Sequence, residues 1–153
     1  WSSSAASDVY KRQDIFYEES ILSDFLSKSS NNENYILLDE NFSEETNDEQ
    51  VVLGKKKLVH SLTKGEPKSK LDIGESLGIN FFTIEFMEKY YKFLSHFLFE
   101  NQEINWEQSI KPFLCENKTI ELFYEDIGNR LWKNINYLDD LEKAKEMYKS
   151  SSI

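Results

Sequence analysis

Few side chains in this sequence have the types and spacing that catalysis or metal binding requires. The single cysteine, Cys115, permits neither an internal disulfide nor a cysteine-based zinc site. The two histidines, His60 and His96, lack the close spacing of metal ligands on one element. We therefore interpret both histidines as structural residues.

Two other groups of side chains have types that suit phosphate or metal chemistry. The segment "KGEPKSKLD" is a basic loop in which Lys64, Lys68 and Lys70 could meet a phosphate or simply lie in water. Asn136 is followed three positions later by Asp139, a spacing typical of a helix N-cap with an acidic third residue. From the local pattern alone, the cap is the favoured interpretation of Asn136.

Apolar residues at helical spacing predict four helices. The first is "ESILSDFLSK", the second runs from Ile84 to Glu100, and the third is "NWEQSIKPFLCEN", which we expect Pro112 to disturb. The fourth is "YLDDLEKAKEMYK", where the spacing predicts that four side chains face inward: Leu138, Leu141, Ala144 and Tyr148.

Apolar runs bounded by turn residues predict the strands. "YILL" (35–38) has the character of a buried strand, and the following "DENFSEETNDE" that of a polar acidic loop. "QVVLGKKKLVHSLTK" predicts a hairpin around Gly54-Lys55, and "GESLGINFFT" a further strand. "TIELFYEDI" and "RLWKNIN" predict two strands joined through Gly128-Asn129. Mixed strands and helices indicate an α/β layer fold.

Composition limits the function classes. The chain has 153 residues and a net charge of −10, which is enough for one domain and opposes binding to nucleic-acid phosphates. Aromatic residues make up 14%, which argues against a disordered acidic chain. The most apolar stretch, "FMEKYYKFLSHFLF", contains Glu, Lys and His, so it does not predict a membrane span. We expect a cytoplasmic protein with neither nucleic acid nor membrane as partner; the oligomeric state is not indicated.

The opening segment differs in composition from the remainder. Residues 1–13, "WSSSAASDVYKRQ", are rich in Ser and Ala, whereas residues 14–153 are rich in Lys, Glu, Asn, Ile, Phe and Tyr. The segment has no continuous apolar core of the kind that secretory signals need. We interpret residues 1–13 as translated sequencing adaptor without structure, and residues 14–153 as the domain.

The segment "LWKNINYLDDLEKAKEMY" resembles the closing segment of sugar-phosphate nucleotidyltransferases, where "W-x-E-I-D-T-P-E-D-L-x-x-A" is typical. Six positions match: Trp132, Ile135, Asn136, Asp140, Leu141 and Ala144. "DIFYEESILSDFL" resembles the "G-D-x-x-(F/Y)" strand end of that family. The segments between follow the order found in cytidylyltransferases that activate phosphocholine and related small phosphates, a module that also occurs fused to phosphoenolpyruvate-mutase-like domains.

The resemblance implies a fold and an activity. The chain would be the C-terminal portion of a Rossmann-like nucleotidyltransferase, with three α/β/α layers and a mixed sheet. The whole enzyme would transfer a nucleoside monophosphate from an NTP (CTP or UTP) to a sugar phosphate or phosphocholine-like acceptor and release pyrophosphate. The family's Mg²⁺ ligands fall on Asp14 and Asn136. Asp14 could also be an ordinary strand-end acid, and Asn136 the cap described above.

The resemblance also implies a substrate site around Gly74, Glu75 and Lys64. Glu75 would accept a hydrogen bond from an acceptor hydroxyl, or face a quaternary ammonium. Gly74 could instead be required only because the backbone passes close to another part of the chain there. Lys64 could be a solvated loop residue.

One family feature has no counterpart in this sequence. The family binds its nucleotide through a glycine-rich loop, and no "G-x-G-x-R" pattern occurs here. We therefore expect this chain by itself to be inactive. The alternative from another class is a non-catalytic acidic α/β module that binds protein partners.

Overall fold

The computed structural model describes residues 8–10, 15–28, 32–41, 50–64, 72–100 and 106–151. Strands and helices are interspersed along the chain, as expected for the α/β class. The strands are β1 (Asp8–Tyr10), β2 (Ile15–Tyr17), β3 (Asn34–Asp39), β4 (Gln50–Lys55), β5 (Leu58–Lys64), β6 (Asp72–Phe82), β7 (Leu122–Asp126) and β8 (Trp132–Asn134). The helices are α1 (Glu19–Lys28), α2 (Ile84–Glu100), α3 (Trp106–Glu116) and α4 (Leu138–Ser151).

Six of these strands form one mixed sheet in the order β1-β6-β3-β7-β5-β4. Among the described strands, β3 and β7 form the parallel pair, and the other pairs are antiparallel. Strand β4 also pairs with β6, so that five strands close on themselves, with Leu58↔Phe123 as the registered pair between β5 and β7. Strands β2 and β8 form a separate two-stranded sheet. The α/β class is thus confirmed, and the three-layer arrangement stays a prediction.

Two apolar clusters pack on opposite faces of β3, because successive side chains of a strand point in opposite directions. Ile36 and Leu38 belong to the cluster beneath α2 and α3, which contains Phe86 and Phe113. Leu37, between them, belongs to the cluster beneath α1. Strand β3 is therefore buried on both faces, as the continuous apolar run at 35–38 predicts.

The hairpin of β4 and β5 forms where predicted, but it turns two residues later than expected. Lys56 and Lys57 form the turn and have φ angles of 54° and 68°. Gly54 stays in β4, where an added Cβ would lie 2.1 Å from the carbonyl oxygen of Leu58. The glycine is needed for this close backbone approach, and the turn itself is formed by the lysines.

Helix α4 forms as predicted, but most of the side chains that were predicted to face inward are exposed. Ala144 is buried, whereas Leu138, Leu141 and Tyr148 are exposed. The helix contacts β8, and Tyr148 meets Phe16 edge-to-face at 6.4 Å between ring centroids. Within the described ranges, the small β2–β8 sheet is too narrow to cover the whole apolar stripe.

The structure differs in detail from three further predictions made from the sequence. Helix α3 continues through Pro112 to Glu116. Strands β7 and β8 form on either side of Gly128-Asn129, but they join different sheets. Residues 8–10, expected to lack structure, pair as β1 with the end of β6; the rest of residues 1–13 lies outside the described part of the chain.

Candidate functional site

The carboxyl ends of β3 and β7 meet at one edge of the main sheet, because these neighbouring strands are parallel. Asp39 is the last residue of β3 and Asp126 the last of β7, and Asp126 is in register with Leu38. The N–H of Ile127 donates to the Leu38 carbonyl at 2.9 Å and holds the two strand ends together. Ligands of α/β sheets bind at the carboxyl ends of strands, so this edge is the candidate site.

Backbone and indole donors orient the two carboxylates. The N–H of Asn41 donates to Asp39 Oδ1 at 2.8 Å, and the indole Nε1 of Trp132 donates to Asp39 Oδ2, also at 2.8 Å. The N–H of Glu40 donates to Asp126 Oδ1 at 3.0 Å. A carboxylate oxygen accepts more than one hydrogen bond, so both groups retain acceptor capacity toward a ligand.

The backbone of β6 approaches Asp39 very closely. A Cβ added to Gly74 would lie 2.4 Å from the carbonyl oxygen of Asp39. No larger side chain fits there without moving the end of β3, so the glycine permits the tight passage that the sequence suggested. The predicted substrate residue Gly74 thus lies directly beside the carboxylate-bearing strand end.

The two other predicted substrate residues, Glu75 and Lys64, lie in strands β6 and β5 of the same sheet. Glu75 is in register with Asp39 on one side and with Val51 on the other, and Val51 is in register with Thr63. Lys64 follows Thr63 and is exposed at the end of β5. Because neighbouring strands lie about 4.8 Å apart, two strand spacings, roughly 10 Å, separate Glu75 from this end of β5.

A tyrosine and a lysine add to the electrostatics of this edge. Burial raises the pKa of the Tyr124 phenol, and the neighbouring Glu40 carboxylate and then Asp126 raise it further. The ammonium of Lys57 lies 4.7 Å from the centroid of the Tyr124 ring, within cation–π range. The phenol therefore stays protonated at neutral pH, and an ammonium group lies near the acidic strand ends.

Asn136 lies between β8 and α4, and its side chain is not the helix cap. The helix begins at Leu138, so the N-cap is Tyr137, one residue later than predicted. Asp140, in place of Asp139, is the acidic third residue, and its Oδ2 accepts from the N–H groups of Asn136 at 3.1 Å and Tyr137 at 2.9 Å. Asn136 is exposed, and its side-chain amide makes no hydrogen bond to the described part of the chain.

The other predicted ligand, Asp14, lies outside the described residues, as do Lys68 and Lys70. Its neighbour Ile15 begins β2 and is in register with Asn134 of β8. The pairing of Asp14 with Asn136 on one metal stays a prediction. Within the described ranges, no three His, Cys, Asp or Glu side chains are grouped to hold a metal ion.

The sequence analysis missed Asp39, which it assigned to a polar acidic loop. A signal was available, since Asp39 is the first acidic residue after the buried run at 35–38. The partner Trp132 could not have been found this way, because it is 93 positions from Asp39.

Solved structures of other proteins share the fold of this chain. The chain is similar to CTP:phosphocholine cytidylyltransferase from Streptococcus pneumoniae, with a TM-score of 0.56 and 16% identity over 88% of this chain and 54% of that one. It is similar to the inositol-1-phosphate CTP transferase from T. maritima, with a TM-score of 0.57 and 16% identity over 94% of this chain and 57% of that one. A nucleoside-diphosphate-sugar pyrophosphorylase from Vibrio cholerae RC9 gives a TM-score of 0.60 and 15% identity, covering 92% and 58%.

These neighbours share a fold with the chain, which spans between half and three-fifths of their lengths. No family model matches the sequence, and no curated protein matches it. None of the helices in the described part is both long and apolar enough to cross a membrane.

Proposed function

We propose that this chain is part of a Mg²⁺-dependent nucleotidyltransferase. The complete enzyme would transfer a nucleoside monophosphate from CTP or UTP to a sugar phosphate or phosphocholine-like acceptor and release pyrophosphate. The observation that carries the proposal is the Asp39 carboxylate at the carboxyl end of β3, which accepts hydrogen bonds from the Asn41 N–H and the Trp132 indole and is in register with Glu75. The fold that the chain shares with nucleotidyltransferases supports it.

The side chains proposed as ligands have the oxygen atoms that Mg²⁺ prefers. The ion keeps several waters, so one or two protein oxygens suffice. Asp14 would offer carboxylate oxygens, and the exposed side-chain amide of Asn136 would offer another. When bound, the ion would offset the charge of the two phosphate-bearing substrates and align the displacement.

We propose Asp14 and Asn136 as the ligand pair. Asp14 precedes β2, and Asn136 follows β8, the strand that pairs with β2 in the small sheet. Ile15 is in register with Asn134, so the two proposed ligands come one position before and two positions after the members of one registered pair. Asp39, which accepts a hydrogen bond from the Trp132 indole of β8, is the alternative carboxylate.

The substrate residues would act beside this metal site. Glu75, in register with Asp39, would accept from an acceptor hydroxyl or face a quaternary ammonium. Lys64 would meet a phosphate from the end of β5. Gly74 would keep the backbone of β6 close to the end of β3.

A pyrophosphate-release assay tests the proposal. It uses the longest expressed product of this gene, with CTP or UTP, Mg²⁺, and phosphocholine or a sugar 1-phosphate. We expect turnover that Asp14→Asn and Asn136→Ala both lower sharply and that Asp139→Asn, an exposed matched control, leaves intact. Asp39→Asn tests the alternative carboxylate. The 153-residue chain alone should be inactive, and no turnover by any longer product would refute the proposal.

A non-catalytic acidic module that binds protein partners is the second candidate. The observation that favours it is the exposed apolar surface of α4, with Leu138 at 73% and Tyr148 at 63% exposure. In that case, Asp39→Asn would leave binding of a protein partner unchanged, whereas Leu138→Ser with Tyr148→Ser would abolish it.

A further inference from the structure

We propose that the groove beside α4 binds an amphipathic helix of a partner protein, with apolar side chains on one face and carboxylates along its edge. The groove lies between α4 and the small sheet, where Phe16 of β2 meets Tyr148 of α4 edge-to-face. The inference rests on protein binding, the second candidate function, and is independent of nucleotidyl transfer.

The apolar surface at this groove has the length of a short helix. Leu138, Leu141 and Tyr148 are exposed. At about 3.6 residues per turn, their side chains lie within about 80° of one another around α4, and the rise from Leu138 to Tyr148 is about 15 Å. Leu138 lies beyond the residues that line the groove. A partner helix of about three turns therefore covers the whole stripe, whereas a small ligand in the groove leaves Leu138 uncovered.

The charged side chains that line the groove are both lysines. Lys145 and Lys149 lie one turn apart on α4, in a chain with a net charge of −10. The Lys145 ammonium donates to Glu142 Oε1 at 2.7 Å, whereas Lys149 makes no ion pair with the described part of the chain. The lining of the groove is thus cationic, and carboxylates at the edge of a partner helix are complementary to it.

The same lysines disfavour a second copy of this chain as the occupant. In a symmetric dimer, each copy presents the same patch to the other. Packing α4 against its counterpart therefore brings Lys145 and Lys149 of both copies into one interface, where like charges repel. A membrane surface rich in anionic lipid is disfavoured as well, because the whole chain has a net charge of −10.

A peptide titration tests the charge and the apolar pattern together. The probe is a synthetic helical peptide of about four turns, with leucines at helical spacing on one face and glutamates along its edges. Its matched control has lysine in place of every glutamate. The fluorescence anisotropy of each labelled peptide is followed as the full chain is added.

We expect the glutamate peptide to bind at least about tenfold more tightly than the lysine peptide. Attraction to the net charge of the chain alone favours the lysine peptide, because the chain is acidic. The expected order of affinities therefore reports on the groove and not on the overall charge.

Charge reversal at one lysine tests the proposed contact. Lys149→Glu should weaken binding of the glutamate peptide by about tenfold and strengthen binding of the lysine peptide. Lys111→Glu, the same change at an exposed lysine of α3, should leave both affinities nearly unchanged. Leu138→Ser with Tyr148→Ser should abolish binding of the glutamate peptide. Circular dichroism confirms that each variant is folded.

A measurement on the unsubstituted chain locates the bound peptide. In ¹⁵N–¹H spectra, the glutamate peptide should shift the backbone signals of Phe16, Leu141 and Tyr148 and leave those of Phe86 and Phe113 in place. Shifts confined to α2 and α3 would overturn the proposal.

Other occupants of the groove give other outcomes, each of which contradicts the proposal. Equal binding of the two peptides, or no binding of either, excludes an acidic helix. A dimer in sedimentation that is lost in Leu138→Ser with Tyr148→Ser assigns the surface to a second copy. Co-sedimentation with vesicles of anionic phospholipid, lost in the same variant, assigns it to a membrane. Because the peptides are titrated without nucleotide, a negative result leaves nucleotidyl transfer, which pyrophosphate release tests, unaffected.

Discussion

Helices α2 and α4 differ in how far the rest of the molecule covers their apolar side chains. In α2, Phe86, Tyr90 and Phe93 are between 1% and 9% exposed. The three rings lie 5.0–5.6 Å, centroid to centroid, from the ring of Phe113 in α3. Helix α3 and the main sheet thus cover these three aromatic residues of α2.

Helix α4 has an apolar stripe of the same spacing but little to pack against. Ala144 is 2% exposed, while Leu138 and Tyr148 are 73% and 63% exposed. A groove remains between the helix and the small sheet, lined by Ile15, Phe16 and Ile135 with Leu141 and Ala144. An apolar stripe identifies one face of a helix, whereas burial of that face requires a partner surface of sufficient width.

The largest expected difference between the two helices is the loss of stability when one aromatic residue of each is replaced by alanine. Phe86→Ala should lower the free energy of unfolding by about 3–5 kcal/mol, because it leaves a cavity in a fully packed cluster. Tyr148→Ala should lower it by less than about 1 kcal/mol, since that ring is mostly in water. Urea denaturation measures both. Similar losses in the two variants would mean that α4 is as well covered as α2.

The second prediction concerns Tyr90, whose phenol is hydrogen-bonded to the Ser109 hydroxyl within the α2–α3 packing. Burial raises the pKa of Tyr90 from 10.0 to about 12; the Ser109 hydrogen bond opposes this rise, and the Glu107 charge adds to it. The folded state therefore holds the phenol proton more tightly than the unfolded state. The resulting stabilisation is complete below pH 10 and is lost as the pH rises to about 12.

The measurement is the free energy of unfolding at several pH values between 8 and 12, for the wild type and for Tyr90→Phe. We expect the wild type to lose on the order of 2 kcal/mol more than the variant over this range. Because all other side chains are the same in both proteins, the difference isolates Tyr90. Parallel curves would show that the Tyr90 side chain is less well covered than the structure indicates.

The smallest expected effect is at the start of α4, which is stabilised by its own first turn. Asp140 accepts hydrogen bonds from the backbone N–H groups of Asn136 and Tyr137. Asp140→Ala should therefore lower the free energy of unfolding by about 1 kcal/mol.

Asp139→Ala is the matched control, because it removes the same charge from the same turn without removing these hydrogen bonds. We expect a smaller loss there, about 0.3 kcal/mol, from the helix dipole alone, because Asp139 is exposed. Amide hydrogen exchange in α4 reports the difference directly. If both variants exchange at equal rates, the first-turn hydrogen bonds do not hold the helix start.

Short-range patterns in the sequence determined much of the secondary structure. The spacing of apolar residues predicted α2 from Ile84 to Glu100, and the apolar run at 35–38 predicted a buried strand. Such features depend on residues within a few positions of one another, so the local sequence contains the information that they need.

Only the tertiary structure determined which residues meet at the candidate site and which apolar side chains of α4 are exposed. Asp39 and Trp132 meet because β3 lies in the main sheet while β8 pairs with β2, an arrangement that no local spacing encodes. Leu138 has the spacing of a buried residue and is exposed, because its burial depends on a surface formed by distant parts of the chain. The physical reason is the same in both cases: periodicity determines which face of an element is apolar, whereas contacts between elements depend on how the strands pair.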